Sequence, residues 1–286
     1  MNQNDLQDML NAMDDDQNGG RPKFWTPEEG ENVIRFLPPM KKNDEKLPYF
    51  HHKVHWLDGK PYECLSQTFT DKNGNVHEAE PCPACQLAKK LYKTAEKGSE
   101  EHELAYSISA KDRYVFRIID RSKKLEEQVN PEFYEVGPSI YKKFFNILKS
   151  QKYGNIVHPM EGRDFIIDRQ GTGRRTNYDN SLPAPDKSPI FEDKEMLKKA
   201  FENATAMSYN DLIEFPTFNE INQATKEAID PEAALADDGD TISRRTDDEA
   251  PQKNSVKETP LPRNEEVEED DTSNDEIDDI LGEFTS

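Results

Sequence analysis

All three cysteines of this 286-residue chain lie close together, as Cys64 and the pair Cys82-Pro-Ala-Cys85. A C-x2-C knuckle lets two thiolates share one ion, and a third cysteine upstream makes three of the four ligands of tetrahedral zinc. A redox C-x-x-C would need a βαβ setting and leaves Cys64 without a role. An odd number of cysteines disfavours a disulfide framework. The polar, acidic stretch from Met1 to Asp16 is no secretory signal, so a reducing, cytoplasmic setting is expected.

His51, His52, His55 and His77 compete for the fourth ligand position. Asp58-Gly59 between two extended runs predicts a hairpin in which position 57 faces 60, 55 faces 62 and 53 faces 64. His55 and Cys64 then become diagonal neighbours on one face. His55 is favoured. His77, in a loop just before Cys82, and His51, farther along the same face, stand behind it, while His52 points to the other face. Zinc deaminases pair a P-C-x-x-C with H-x-E, but here His77 is followed two positions on by Ala79, so the acid/base is missing. A closed site of three Cys and one His leaves no open position, and the metal is expected to hold the fold. Gly171-Thr-Gly173 lacks the G-K-[ST] of a phosphate loop, and no G-x-S-x-G occurs. A non-enzymatic protein is expected, with a zinc-dependent nucleotide- or nucleic-acid-modifying enzyme as the alternative.

Charge is distributed unevenly. The net charge is −21, yet between Pro231 and Ser286 there are 19 acidic and 5 basic residues, so −14 of it lies in that stretch. Aromatics vanish there until Phe284, and a disordered acidic tail is expected over 231–286. Within it Ile277, Ile280, Leu281 and Phe284 keep helical spacing among acids, the pattern of a segment that orders on a partner's groove. Residues 1–22 read as an N-terminal arm, with Leu6, Met9, Leu10 and Met13 at helical spacing before Asn18-Gly-Gly. No apolar run approaches the ~20 residues of a membrane span.

Between them, about 23–230 form the body. Strands are expected at Val33–Leu37, Tyr49–Leu57, Tyr62–Phe69, Arg113–Asp120 and Asp164–Arg169. Helices are expected at Gln86–Lys97, Ser139–Ser150 and Lys194–Phe201. Many short strands with interspersed helices predict a small barrel or sandwich with insertions. Basic residues alternate with aromatics in several places, as a single-strand binder requires: phosphates need positive charge and bases need rings to stack on. Lys53 lies on the first hairpin with Tyr49, Phe50 and Trp56. Lys111, Arg113, Tyr114 and Arg117 lie on the central strand. Arg174 and Arg175 lie in a turn before Tyr178.

The body resembles the gene 32 single-stranded DNA-binding, helix-destabilising proteins of T-even phages. Val33-Ile-Arg-Phe-Leu-Pro38 is similar to that family's first strand. His55, Asp58-Gly-Lys60, Tyr62-Glu-Cys64 and Cys82-Pro-Ala-Cys85 follow the order of its zinc subdomain, and Asn177-Tyr-Asp179 with Ser181 its late strand and loop. The resemblance implies a mainly β fold with short helices. Its core is an OB-fold that binds single-stranded DNA in phage replication, recombination and repair, inside an infected bacterial host. It implies one structural zinc ion on His55, Cys64, Cys82 and Cys85, in a subdomain at about 48–97. Base-stacking tyrosines fall on Tyr114, Tyr134 and Tyr178. It also implies an acidic tail that recruits replication proteins such as polymerase, primase and a helicase or its loader, and self-association on DNA. The family's arm is basic. Here it carries Asp5, Asp8, Asp14, Asp15 and Asp16, with Arg21 and Lys23 only at its end, and Arg174-Arg175 stand where the family has an aromatic.

Overall fold

The computed structural model describes residues 24–71, 74–150, 152–212, 214–229 and Gly282. The expected arm at 1–22 lies outside the described residues, as do Ile277, Ile280, Leu281 and Phe284 of the expected tail.

Nine strands and five α-helices follow one another along the described chain. The strands are β1 (Gly30–Phe36), β2 (Tyr49–Leu57), β3 (Lys60–Glu63), β4 (Phe69–Thr70), β5 (Val76–His77), β6 (Lys111–Asp120), β7 (Glu132–Val136), β8 (Phe165–Arg169) and β9 (Leu182–Pro183). The helices are α1 (Pro83–Thr94), α2 (Glu100–Ile108), α3 (Pro138–Lys149), α4 (Lys194–Ala206) and α5 (Phe218–Ile229). Seven strands make one antiparallel sheet in the order β3-β2-β6-β1-β8-β9, with β7 added on β6; β4 and β5 pair separately. The chain is mainly β with short helices, as expected.

The central strand β6 organises the sheet. β2 pairs with its first half, from Lys111 to Phe116, and β1 with its end, from Ile118 to Asp120. β7 runs beside residues Tyr114 to Ile118. Alternation of side chains then sorts the residues. Phe116, Ile118, Tyr134, Val136, Ile34 and Phe36 face one side, where Ile140 and Phe144 of α3 close the core. Leu37, Ile119 and Val115 face the other, under α4 and the Tyr209 turn. Both faces of β6 and β7 are covered, so Phe133 and Tyr134 are neighbours in sequence and buried on opposite sides.

Two buried arginines tie the outer layers to the sheet. Arg117 takes both oxygens of Glu45, at 2.8 and 2.7 Å, bonds the Met207 carbonyl, and lies 4.0 Å over the Tyr209 ring. Arg35 reaches Asp164, the carbonyl of His158, and the hydroxyl and carbonyl of Ser188. Each charge is paired and hydrogen-bonded, the condition under which burial is tolerated. Arg117 is therefore a structural group.

The Asp58-Gly59 hairpin has the expected register: His55 pairs with Tyr62 and Leu57 with Lys60. Both turn residues have positive φ, 48° and 74°, as a two-residue turn that follows strand twist requires. The expected strand Tyr62–Phe69 is interrupted. β3 stops at Glu63, and Phe69 joins β4, because the chain turns at Cys64 and Leu65 toward the cysteine pair. The helix expected at Gln86–Lys97 starts earlier, with Cys82 as its N-cap and Pro83 in its first turn, where a missing N–H costs nothing.

Candidate metal centre and nucleic-acid interface

Two segments build the cysteine cluster. The β2–β3 hairpin supplies His55 and Cys64, and the start of α1 supplies Cys82 and Cys85. The ligand atoms of these four residues all lie within 4.8 Å of one another. Nε2 of His55 is 3.3 Å from Sγ of Cys82 and 3.5 Å from Sγ of Cys85, and the sulfurs of Cys64 and Cys85 are 3.5 Å apart. Four donors around one zinc at ~2.3 Å would stand ~3.7 Å from each other, so the group is nearly the size of a filled tetrahedron. Nδ1 of His55 bonds the Ile108 carbonyl at 2.6 Å. That bond fixes Nδ1 as the donor to the carbonyl and turns Nε2 toward the sulfurs, the orientation in which it ligates a metal once its own proton has left.

The protonation chemistry fits a cation. Burial disfavours a charged His55, but hydrogen bonds with Cys64, Cys85 and Ile108 push its pKa up to about 10. Hydrogen bonds with Cys82 and Cys85 pull the Cys64 thiol well down, and those with Cys64 and Cys85 push Cys82 well up. Protons are shared unequally among groups that cannot all be negative. A divalent cation at their centre relieves this by letting every sulfur be a thiolate.

The other histidines are engaged elsewhere. His51 bonds Asp112 at 2.8 Å and His77 bonds Asp71 at 3.1 Å. His52, on the opposite face as expected, is flanked by Glu63 at 3.0 Å and Glu135 at 3.3 Å. Of the four candidates, His55 is the histidine that the fold brings to the three cysteines.

The expected DNA-binding residues fall into three places. Lys53 and Tyr114 share one face of the sheet, diagonal to one another, with His51 directly across from Tyr114 and Asp112 across from Lys53. Lys111 and Arg113 lie on the opposite face by the period-2 rule. Lys111 sits over the Tyr106 ring at 3.5 Å, and Arg113 pairs with Glu135 at 3.4 Å. Tyr134 and Tyr178 line a recess beside α3. Tyr134 is 3% exposed, so its ring presents no open face, whereas Tyr178 is half-buried. Arg175 is exposed in the turn that follows Gly171. Only glycine fits at 171: its φ is +77° and a Cβ would lie 2.9 Å from the Arg175 carbonyl oxygen. The side chain of Arg174 lies outside the described set.

Around Tyr114 the structure gathers further rings, of which Tyr141 and Phe145 were not foreseen. The ring stacks on Tyr141 of α3, with centroids 3.7 Å apart and planes 1° from parallel, and on His51 at 4.7 Å and 16°. Tyr49 meets both tyrosines edge-on and bonds the Tyr141 hydroxyl at 3.0 Å. One turn along α3, Phe145 is 43% exposed with Lys149 4.8 Å above its ring. From Gly137 to Met160 the chain carries Lys142, Lys143, Lys149 and Lys152 and not one acid. Tyr141-Lys-Lys-Phe-Phe145 is itself an aromatic–basic alternation, and that was the available signal.

A covered antiparallel sheet, a cluster of three Cys and one His at one end, and a strip of rings beside an acid-free helix together define a class. This is a mainly β protein with a Cys/His cluster of the size a metal ion needs. The family model described as gp32 DNA binding protein like matches residues 28–229, and the chain belongs to that family of DNA-binding proteins. No curated protein matches the chain. Among the described residues no helix is long and apolar enough to cross a membrane.

Proposed function

We propose that this protein binds single-stranded DNA without sequence specificity and without catalysis, along the face that carries Tyr49, His51, Lys53, Tyr114, Tyr141, Phe145 and Lys149. The observation that carries the reading is the Tyr114–Tyr141 stack next to a helix with no acid in a chain of net charge −21. Rings offer sequence-tolerant stacking and lysines follow the phosphates. Tyr178 extends the track at the start of α3, beside Ser139 and Ile140, with Arg174 and Arg175 just before it in sequence. The sheet serves as an OB-type platform, with 23–230 as the binding body. Lys111 and Arg113 contribute positive charge from the opposite face of β6.

One zinc ion on His55, Cys64, Cys82 and Cys85 holds the hairpin to α1. Four protein donors fill its shell, so it has structural work and no reacting water. The family supports single-stranded DNA binding. Phage replication, recombination and repair are the processes that supply such strands. The acidic tail, with Ile277, Ile280, Leu281 and Phe284, recruits polymerase, primase or a helicase loader.

The test is a gel shift of equal-length single- and double-stranded oligonucleotides at several salt concentrations. Single strands should bind tighter, with affinity falling linearly in log[salt]. Tyr141→Ala should cost ~1–3 kcal/mol of binding if the stack receives a base. Equal affinity for duplex, or an unchanged affinity in a folded Tyr141→Ala protein, overturns the reading.

A further inference from the structure

The four candidate ligands do not share one environment. His55, Cys64 and Cys82 are buried, and Cys85 is half-buried. The contact between His55 and Cys82 lies on the inner side of the cluster. The pair Cys64 and Cys85, with sulfurs 3.5 Å apart, lies on the side nearer solvent. One exposed side chain stands over that outer pair. The hydroxyl of Ser66 is 2.9 Å from Sγ of Cys64 and 3.8 Å from Sγ of Cys85.

Ser66 is held there by bonds that are not its own. It sits within a turn, from Cys64 to Gln67, that is fastened at both ends to the backbone of Lys53 on β2. The Cys64 N–H donates to the Lys53 carbonyl at 2.9 Å. The side-chain oxygen of Gln67 accepts from the Lys53 N–H at 2.9 Å, and its amide nitrogen donates to the Lys53 carbonyl at 3.3 Å. Between these ends the Leu65 carbonyl accepts from the Glu80 N–H at 2.8 Å, which ties the turn to the segment leading into Cys82. These bonds use backbone groups and Gln67, and no side chain of a candidate ligand. The hydroxyl is therefore placed without help from an ion.

Charge gives that hydroxyl a task. Three thiolates around one divalent ion leave a net negative charge on the site. A buried charge needs a partner or hydrogen-bond donors. Cys82 receives a hydrogen bond from the backbone of Cys85. His55 offers its Nδ1 to the Ile108 carbonyl and not to a sulfur. For the outer pair the donor at hand is Ser66. A thiolate only accepts, and a hydroxyl rotates to suit its acceptor, so the proton of this bond comes from Ser66. The shorter distance makes Cys64 its acceptor.

We propose that Ser66 is a positioning residue of the metal centre. Its hydroxyl donates to the Cys64 sulfur, takes up part of the excess negative charge and strengthens the hold on the ion at its solvent-facing side. The inference rests on the zinc reading above and adds to it a residue outside the four donors. Partners that orient a metal ligand are worth about 10–100-fold in metal affinity.

The experiment compares the full chain with Ser66→Ala and Ser66→Thr. Each is loaded with zinc and, separately, with cobalt(II), whose thiolate charge-transfer band reports the electron density on sulfur. In competition with a coloured chelator, Ser66→Ala should hold zinc about tenfold more weakly. Its cobalt band should move to longer wavelength, because a sulfur that has lost a hydrogen-bond donor gives up an electron more readily. Ser66→Thr keeps the hydroxyl and should match the wild type in both readouts. The metal-free wild type and metal-free Ser66→Ala should melt alike, since the turn keeps its bonds to Lys53 and Glu80. An unchanged band or an unchanged zinc affinity in Ser66→Ala overturns the assignment. So does a Ser66→Thr protein that behaves as Ser66→Ala. A metal-free Ser66→Ala protein that melts lower overturns it too, because Ser66 would then serve the turn and not the ion. If the wild type takes up cobalt without a thiolate band, or takes up none, the zinc reading itself fails instead.

Discussion

His52 sits 3.0 Å from Glu63 and 3.3 Å from Glu135, joining β2, β3 and β7 by one ring. Burial works against its charge, but the hydrogen bonds and charges of the two carboxylates outweigh it and raise its pKa from 6.5 to about 9. A raised histidine pKa stabilises the fold fully below the unfolded value and ceases to do so above the folded one. This contribution should therefore decline from about pH 6.5 and be gone above about pH 9. Melting temperatures of the wild type and His52→Gln from pH 6 to 10 should converge as pH rises. Curves that stay parallel would show that His52 carries no such charge. Single residues were legible where one local rule fixes them. The Asp58-Gly59 turn sets the hairpin register, and the register puts His55 beside Cys64 and turns His52 away. Period-2 alternation likewise separates Tyr114 from Lys111 and Arg113. Tyr141 was not legible as the partner of Tyr114, because their stack exists only once α3 has crossed the sheet.

The metal centre shows what an element can hide. The cysteine spacing predicts a hairpin and a knuckle that the ion must hold together unaided. In the structure they have a core. Leu57, Leu65, Ala84, Ala88 and Ile108 pack with Ile221 and Ala224 of α5, a helix more than a hundred residues downstream. Three of the buried positions in this cluster that belong to helices α1 and α5 are alanines, which mark an apolar face weakly, and α5 escaped notice for that reason. The strand β7 escaped for another. Glu132 and Glu135 interrupt it, and its consecutive Phe133 and Tyr134 break the alternation because both sheet faces are buried there. Losing the ion should therefore loosen β2's end, β3, α1, α2 and α5 as one unit, since metal binding supplies folding free energy to the segments it joins. Hydrogen exchange should speed up across those segments under chelation, and also in Cys82→Ser, while Ile34, Phe36 and Phe165 of the main core stay protected. Uniform acceleration over the whole sheet, or none after verified loss of zinc, would contradict this division.

At the scale of the whole molecule, charge decides how the parts compete. The last stretch, Pro231 to Ser286, holds −14 of the chain's −21. A polyanion tethered to a DNA-binding body repels phosphate and competes for the same lysines. The carbonyl of Gly282 accepts a hydrogen bond from Nζ of Lys41, in the turn between β1 and β2, at 3.4 Å, so residue 282 touches the body. Deleting 231–286 should raise affinity for single strands. The gain should be largest at low salt and shrink toward physiological ionic strength, where charges more than about 8 Å apart are screened. Substituting Ile280, Leu281 and Phe284 by Ser keeps every charge, so it should leave that gain unrealised while removing capture of a replication partner. Titrations of the full chain, the deletion and the triple variant with one oligonucleotide at two salt concentrations separate these effects. If the triple variant gains DNA affinity as the deletion does, the tail acts through its apolar stripe and the electrostatic account fails. If the deletion gains nothing even at low salt, the acids never meet the strand's binding face, and their repulsion is spent in solvent.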